Sequence, residues 1–339
     1  MTYNHYITVM IIGHRRIIQY LSRSAALKNL SHAYLFSGPA SLGKMTLAME
    51  FAKFLQCPNT KNGKQQFAYC GRCKDCYDMD RKSHPDFTIF PPFASEETEI
   101  KIGQIRNLIK IFSFKNYSAP YKIAIIDNAD QMTNEAANAL LKTLEEPSDN
   151  SILILIASHP ETLLPTIVSR CQQIKFFSVP YCDLEKGLLN YFNRDSGVSA
   201  DIPGVARLSS GLPGIAVKII QNPVFKEKKE KNYQNFFEIN NSSLNLKYQY
   251  VSSMLAQENE ISDTLNDWLY ILKDIIYLHS GARRFILNIR IENQLKNLQE
   301  RYSLKKTADL MDKIKETIFI LRVTNVNKKL ALENLMLEL

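Results

Sequence analysis

A short apolar run, Ala33-Tyr34-Leu35-Phe36-Ser37, passes directly into Gly38-Pro-Ala-Ser-Leu-Gly43-Lys44-Met45-Thr46, and a helical pattern carrying Leu47, Ala48, Phe51 and Phe54 follows at once. A strand that feeds a glycine-rich turn into a helix N-terminus leaves few folds open. The glycines let backbone N–H groups wrap a phosphate, the helix dipole favours negative charge, and Lys44 reaches the outer phosphates. A chance glycine turn is the competing reading, and the strand and helix on either side disfavour it. Gly38, Gly43, Lys44 and Thr46 are therefore candidate nucleotide-binding residues, for ATP or ADP. The residue after the lysine ordinarily offers magnesium a hydroxyl. Here it is Met45, a poor ligand for a hard cation, and Thr46 sits one place late. The motif reads as P-loop ancestry, and nucleotide binding stays open.

Two more buried-strand patterns follow, Lys122–Ile126 ending at Asp127 and Ser151–Ala157 ending at Ser158. Between them Thr133 is placed to cap a helix that runs through Glu146 and stops at Pro147. Short β-like runs alternating with helical patterns over the first 180 residues predict an α/β core, with a parallel sheet whose carboxyl edge collects the phosphate-site candidates. Asp127 is the candidate magnesium carboxylate. In a hydrolysing protein of this kind the next residue is commonly a glutamate that activates water, and here it is Asn128, which takes up no proton at neutral pH. An acidic strand end that merely caps the next helix explains Asp127 and Asp130 equally well. Met45 and Asn128 together argue against autonomous ATP hydrolysis. Ser158 is either a nucleotide contact or a turn former, and His14, His32, His84 and His159 show no catalytic pattern.

Four of the six cysteines, Cys57, Cys70, Cys73 and Cys76, fall at C-x12-C-x2-C-x2-C. Thiolates two residues apart turn onto one ion, and a fourth from the preceding helix end completes the tetrahedral shell that structural zinc prefers. Gly71 permits the turn, and Lys64, Arg72 and Lys74 offset the charge. A closed four-sulfur set leaves no position for chemistry, so the zinc is expected to be structural.

Beyond residue 180 the strand signal fades. Residues 180–222 read as two or three short helices with a turn at Gly211-Leu-Pro-Gly214. The run Lys226-Glu-Lys-Lys-Glu-Lys231 reads as a solvated linker or helix face. Helical spacing then places Trp268, Leu269, Leu272 and Ile275 on one side, with Leu332, Leu335, Met336 and Leu339 at the end, so 223–339 is expected to be a separate helical domain. No apolar run approaches the roughly 18 residues of a membrane helix, and the start of the chain has no signal-peptide pattern; a cytoplasmic protein with no membrane partner is expected. The net charge of +8 fits an acidic partner or nucleic acid, and equally a solvated basic surface.

Taken together, Ile12-Gly13-His14, the stretch Ser31–Pro39, the cysteine module, Asp127-Asn-Ala-Asp130, Asn138–Pro147 and Ser169-Arg170-Cys171 resemble the AAA+ clamp-loader family. A weaker match resumes at Asn325–Glu333. The resemblance implies a AAA+ core with its zinc module (1–179), a small helical lid (180–222) and a helical collar (223–339) that oligomerises. It also implies a place in the DNA polymerase III holoenzyme, helping to open a sliding clamp and load it on primer-template DNA. The partners implied are loader subunits of the gamma/tau and delta types. On this analogy Arg170 is an arginine finger acting in trans on a neighbouring subunit's ATP. Met45, Asn128 and the lack of a lid arginine at Gly211–Ile215 favour a largely structural member over a motor. The rivals are an active ATPase subunit of the same machine, with Thr46 and Asp130 substituting, and a zinc-stapled DNA-binding module with a dead P-loop.

Overall fold

The structure, a computed structural model, describes residues 11–60, 67–91, 99–192, 201–287, 291–323 and 326–339. Lys64 and Asn325 lie outside them. The chain forms two compact units, one running up to Tyr191 and adding Leu212–Gly214, the other Phe192–Gly211 with Ile215–Leu339.

In chain order the first unit contains α1 (Arg15–Ala26), β1 (Ala33–Ser37), α2 (Lys44–Gln56), α3 (Lys74–Asp80), β2 (Phe87–Phe90), α4 (Ile102–Ser113), β3 (Lys122–Ile126), α5 (Asn134–Glu145), β4 (Ser151–Ala157), α6 (Pro165–Arg170), β5 (Gln172–Lys175) and α7 (Tyr181–Phe192). The strands form one parallel sheet in the order β2-β3-β4-β1-β5. Every residue of β1, β3 and β4 is buried, as a parallel sheet covered on both faces requires. Successive side chains of β1 serve opposite layers. Ala33 and Leu35 join the core made with α4, α5 and α6, while the Tyr34 ring meets Phe51 of α2 edge-on at 5.8 Å between centroids. Thr133 caps α5, its Oγ1 accepting the Ala136 N–H at 3.3 Å.

Two strands escaped the sequence reading. Each has four residues, and β5 buries only Ile174. As an edge strand β5 buries one side at most, and three of its four residues are polar.

The second unit is helical among the described residues: α8 (Ile202–Leu208), α9 (Pro213–Gln221, whose first two residues cluster with the first unit), α10 (Pro223–Asn240), α11 (Leu244–Leu255), α12 (Ile261–His279), α13 (Glu292–Arg301), α14 (Leu304–Val323) and α15 (Lys328–Glu338). Its core gathers on α12, where Trp268, Ile271, Leu272 and Ile275 are fully buried, and the closing helix adds Leu332, Leu335 and Met336. The charged run 226–231 is no linker. It lies inside α10, and Lys229 is buried against the carboxylate of Asp267, which also accepts from Asn232 Nδ2 at 3.1 Å. Burial raises the Asp267 pKa, against the pull of Lys229.

Lys229→Met is expected to strand that carboxylate and cost about 3–5 kcal/mol. The readout is the urea midpoint followed through Trp268, the sole tryptophan. Adding Asp267→Leu should recover most of the loss. An unchanged midpoint in the single variant would contradict the assignment.

Candidate functional site

The P-loop is built outward from β1, an inner strand of the sheet. Gly38 leaves β1 at φ 137°, and a Cβ there would overlap the carbonyl oxygen of Phe176, so the close approach admits glycine alone. Ser41 and Gly43 also take positive φ, and Gly43 caps the N-terminus of α2. The loop is fastened from outside by His14, whose Nε2 donates to the Leu42 carbonyl at 2.9 Å while its ring packs edge-on against Phe176 at 4.8 Å. Burial lowers the His14 pKa, in keeping with a neutral ring. Sequence reasoning assigns this histidine no catalytic role, and the signal it carries there is its place beside Gly13 in the matching stretch.

Lys44 is buried at the start of α2. Its Nζ donates to the carbonyls of Gly38 and Pro39, the latter at 2.7 Å, and to Ser158 Oγ at 3.3 Å. Burial pulls its pKa down to about 8, although Asp130 and Asp127 oppose the shift. Asp127 ends β3 at the same sheet edge. Burial raises its pKa, against the Asn128 N–H on Oδ1 at 3.0 Å and the charge of Lys44. Asp130 Oδ2 accepts the His159 N–H at 3.0 Å, while Oδ1 is buried without a hydrogen-bond partner. Thus Gly38, Gly43, Lys44 and Asp127 gather at the carboxyl edge, joined by Ser158. Met45 and Thr46 are half-buried on the first turn of α2. Leu212–Gly214, which cluster with the first unit, meet this loop: the Gly214 N–H donates to the Ser41 carbonyl at 2.8 Å, and a Cβ on Gly214 would lie 3.1 Å from Ser41.

At the far end of α2 the four cysteines converge. Cys57 caps the helix, Gly71 turns the chain at φ 66°, and Cys73 caps α3. The Sγ of Cys57 lies 3.6 Å from that of Cys70 and 3.9 Å from that of Cys73, and Cys70 to Cys76 is 4.0 Å. All four sulfurs fall within 4.8 Å of one another, a set that can hold a metal ion. They are thiols, not disulfides. Backbone N–H groups of Cys70, Cys73 and Cys76 point at the sulfurs of Cys57, Cys70 and Cys73 at 3.3–3.4 Å and orient them. A polar network that starts from the buried Glu50 and Lys53 ties the module back to α2. Lys53 pairs with Glu50 at 3.3 Å and with Asp80 of α3, and the Tyr69 hydroxyl donates to Glu50 at 2.5 Å.

Arg170 stands apart from both. It ends α6 with its side chain 36% exposed, Nη1 donating to the Thr166 carbonyl at 3.0 Å and Nη2 to Glu145 Oε1 at 2.6 Å. Cys171 beside it is buried, which pushes its pKa up to about 12.

Among the described residues no helix is long and apolar enough to cross a membrane. A family model described as DNA polymerase III, delta subunit, matches residues 13–180, and one for the C-terminal part of that subunit matches 226–339. The chain is 35% identical to the DNA polymerase III subunit delta' of Bacillus subtilis over 64% of its own length and 62% of that protein's. It is 39% identical to the Pseudomonas aeruginosa subunit delta' over 42% of each, and 25% identical to that of Escherichia coli over 91% and 88%. The chain thus spans less than two thirds of the first two relatives' length. A DNA polymerase III gamma-subunit-related structure from Thermotoga maritima, 19% identical, aligns over 94% of this chain and 97% of its own with a TM-score of 0.39. With the two models together spanning most of its 339 residues, the chain belongs to the DNA polymerase III delta-subunit family.

Proposed function

We propose that the chain is a delta'-type clamp-loader subunit that hydrolyses no nucleotide itself and supplies Arg170 to the ATP site of a neighbour. Its parts in this reading are the AAA+ core (1–179), the helical lid (180–222) and the helical collar (223–339). Its partners are gamma/tau- and delta-type subunits and, through the assembled ring, the sliding clamp and primer-template DNA. The observation that carries the reading is a P-loop whose backbone frame is complete and whose chemistry is not. Met45 replaces the magnesium hydroxyl, Asn128 replaces the base, and Gly214 stands at the lid turn that lacks an arginine. The frame formed by Gly38, Gly43 and Lys44 remains able to cradle ATP or ADP. In the rival that gives Asp130 the role of base, Oδ1 would have to serve, since Oδ2 accepts the His159 N–H.

Arg170 fits the donor role on chemical grounds. A guanidinium carries five N–H donors in a rigid fork suited to phosphate oxygens, and the two contacts described leave three of them free. For the cysteine module we propose structural zinc. A tetrahedral ion with Zn–S bonds of about 2.3 Å separates its sulfurs by about 3.8 Å, and three of the sulfur separations, 3.6, 3.9 and 4.0 Å, lie around that edge, with all of them within 4.8 Å. When bound, the ion would cross-link the end of α2 to α3; Cys57, Cys70, Cys73 and Cys76 would fill its shell.

The isolated chain is expected to release no phosphate from ATP. Turnover of about 1 per second or faster, lost in Lys44→Ala, would overturn this. One zinc per chain is expected by metal analysis, reduced in Cys73→Ser, and chelation should speed hydrogen exchange in α3 before the sheet. A chain purified without zinc that takes up none on titration would sink the assignment. Arg170→Ala should assemble normally with the other loader subunits and lower the DNA-stimulated ATPase and clamp loading of the complex. Trans-acting fingers contribute about 10³–10⁵ at one site, and several sites in one ring dilute the total loss. Wild-type rates from a fully formed mutant complex would reduce Arg170 to a surface arginine.

A further inference from the structure

Glu145 occupies a place that local physics disfavours. It is the last residue of α5, followed by Glu146 and Pro147, so two carboxylates sit where the helix dipole is negative. Acidic groups in a last turn lose about 0.3–1 kcal/mol relative to cationic ones. A helix that breaks this rule has a compensating contact or a function. The contact is the Glu145 Oε1 to Arg170 Nη2 pair at 2.6 Å, between groups 49% and 36% exposed. An exposed pair of this kind stabilises a fold by at most about 1 kcal/mol. Fold stability is therefore a weak reason for its placement, and orientation of the guanidinium is a stronger one.

We infer that Glu145 is a positioning residue for Arg170. The inference rests on the finger reading and adds to it the residue that aims the finger. An arginine side chain carries about 2 kcal/mol of rotamer entropy, and a free one at a surface samples many directions. Here two acceptors from different elements fix the plane: the Thr166 carbonyl of α6 holds Nη1, and the Glu145 carboxylate of α5 holds Nη2. α5 and α6 belong to one packed core with Ala137, Leu140, Leu144 and Ile167, so the acceptors are themselves fixed. The donors left over then face outward in a set geometry. Preorganisation of this kind acts on the transition state, since a misplacement of about 1 Å at a reacting group costs up to about 10²-fold. Because the role is to accept a hydrogen bond, glutamine at 145 retains it and alanine does not.

The test uses the complete loader reconstituted with Glu145→Ala, Glu145→Gln, Arg170→Ala and the Glu145→Ala/Arg170→Ala double variant, with DNA-stimulated ATPase measured against ATP concentration. Glu145→Ala should lower kcat about twofold or more with KM unchanged, Glu145→Gln should restore most of it, and the double variant should match Arg170→Ala alone. Thermal melts of each chain check that folding is kept, and the isosteric Gln variant keeps the comparison valid if alanine loosens α5. Wild-type kcat in Glu145→Ala, or a further loss on adding it to Arg170→Ala, overturns the positioning role while leaving the finger standing. Wild-type kcat in Arg170→Ala removes both.

Discussion

The tightest constraint in the first unit is the passage of Gly38 beneath the Phe176 carbonyl. It forces the chain leaving β1 to turn within van der Waals distance of the segment after β5, and it fixes where α2 begins. β1 lies between β4 and β5, and all five of its residues are buried, so the turn starts from a strand held on both sides and on both faces. Everything placed at the phosphate loop inherits that rigidity. Lys44 reaches the loop carbonyls because α2 starts there. Ser158 and Asp127 come to the same edge because β4 and β3 are the next strands across.

α2 carries the constraint to the opposite end of the unit. A helix of 13 residues spans about 20 Å, with Lys44 at its first position and Cys57 as its C-cap. Two of its buried polar side chains, Glu50 and Lys53, are paired along the way with Asp80 and Tyr69, which belong to the cysteine module. Burying such charges is tolerable only because each finds a partner, and removal of one partner leaves the other uncompensated. The polar network therefore holds the module in register with the helix independently of any metal, and a bound ion would add a cross-link at the point where the last turn would otherwise fray.

How far these relations were legible depended on whether they were local. β1, β3 and β4 were readable because central strands of a parallel sheet are buried on both faces and give unbroken apolar runs. β5, with one buried residue in four, gave no such run. The cysteine set was readable because three of its four members lie within seven residues, and closure by Cys57 needed only the end of a preceding helix. Pairings across long sequence separations left no periodic trace. Lys229 was hidden in a run of like-patterned charges because its partner Asp267 is 38 residues away, and His14 was passed over because the Leu42 carbonyl carries no side-chain signature. Glu145 left a faint local mark, an acidic residue at the wrong end of a helix, yet the reason for it is Arg170 on another helix.

In the proposed reading, the separation of frame from chemistry at the P-loop has a physical origin. The cradle depends on backbone N–H groups, positive-φ residues and the close approach at Gly38, all of which are set by the fold and would damage it if changed. Magnesium binding and water activation depend on two side chains, at positions 45 and 128, that are half-buried and exposed and have little part in the core. A chain whose place in an assembly requires the shape of a nucleotide-binding unit can therefore lose turnover at little cost in stability. The side chain that reaches outward is under the opposite pressure. Arg170 has no core to lock its rotamer, so any function it has in trans must be secured by polar contacts from its own subunit, and those contacts come from Thr166 and Glu145.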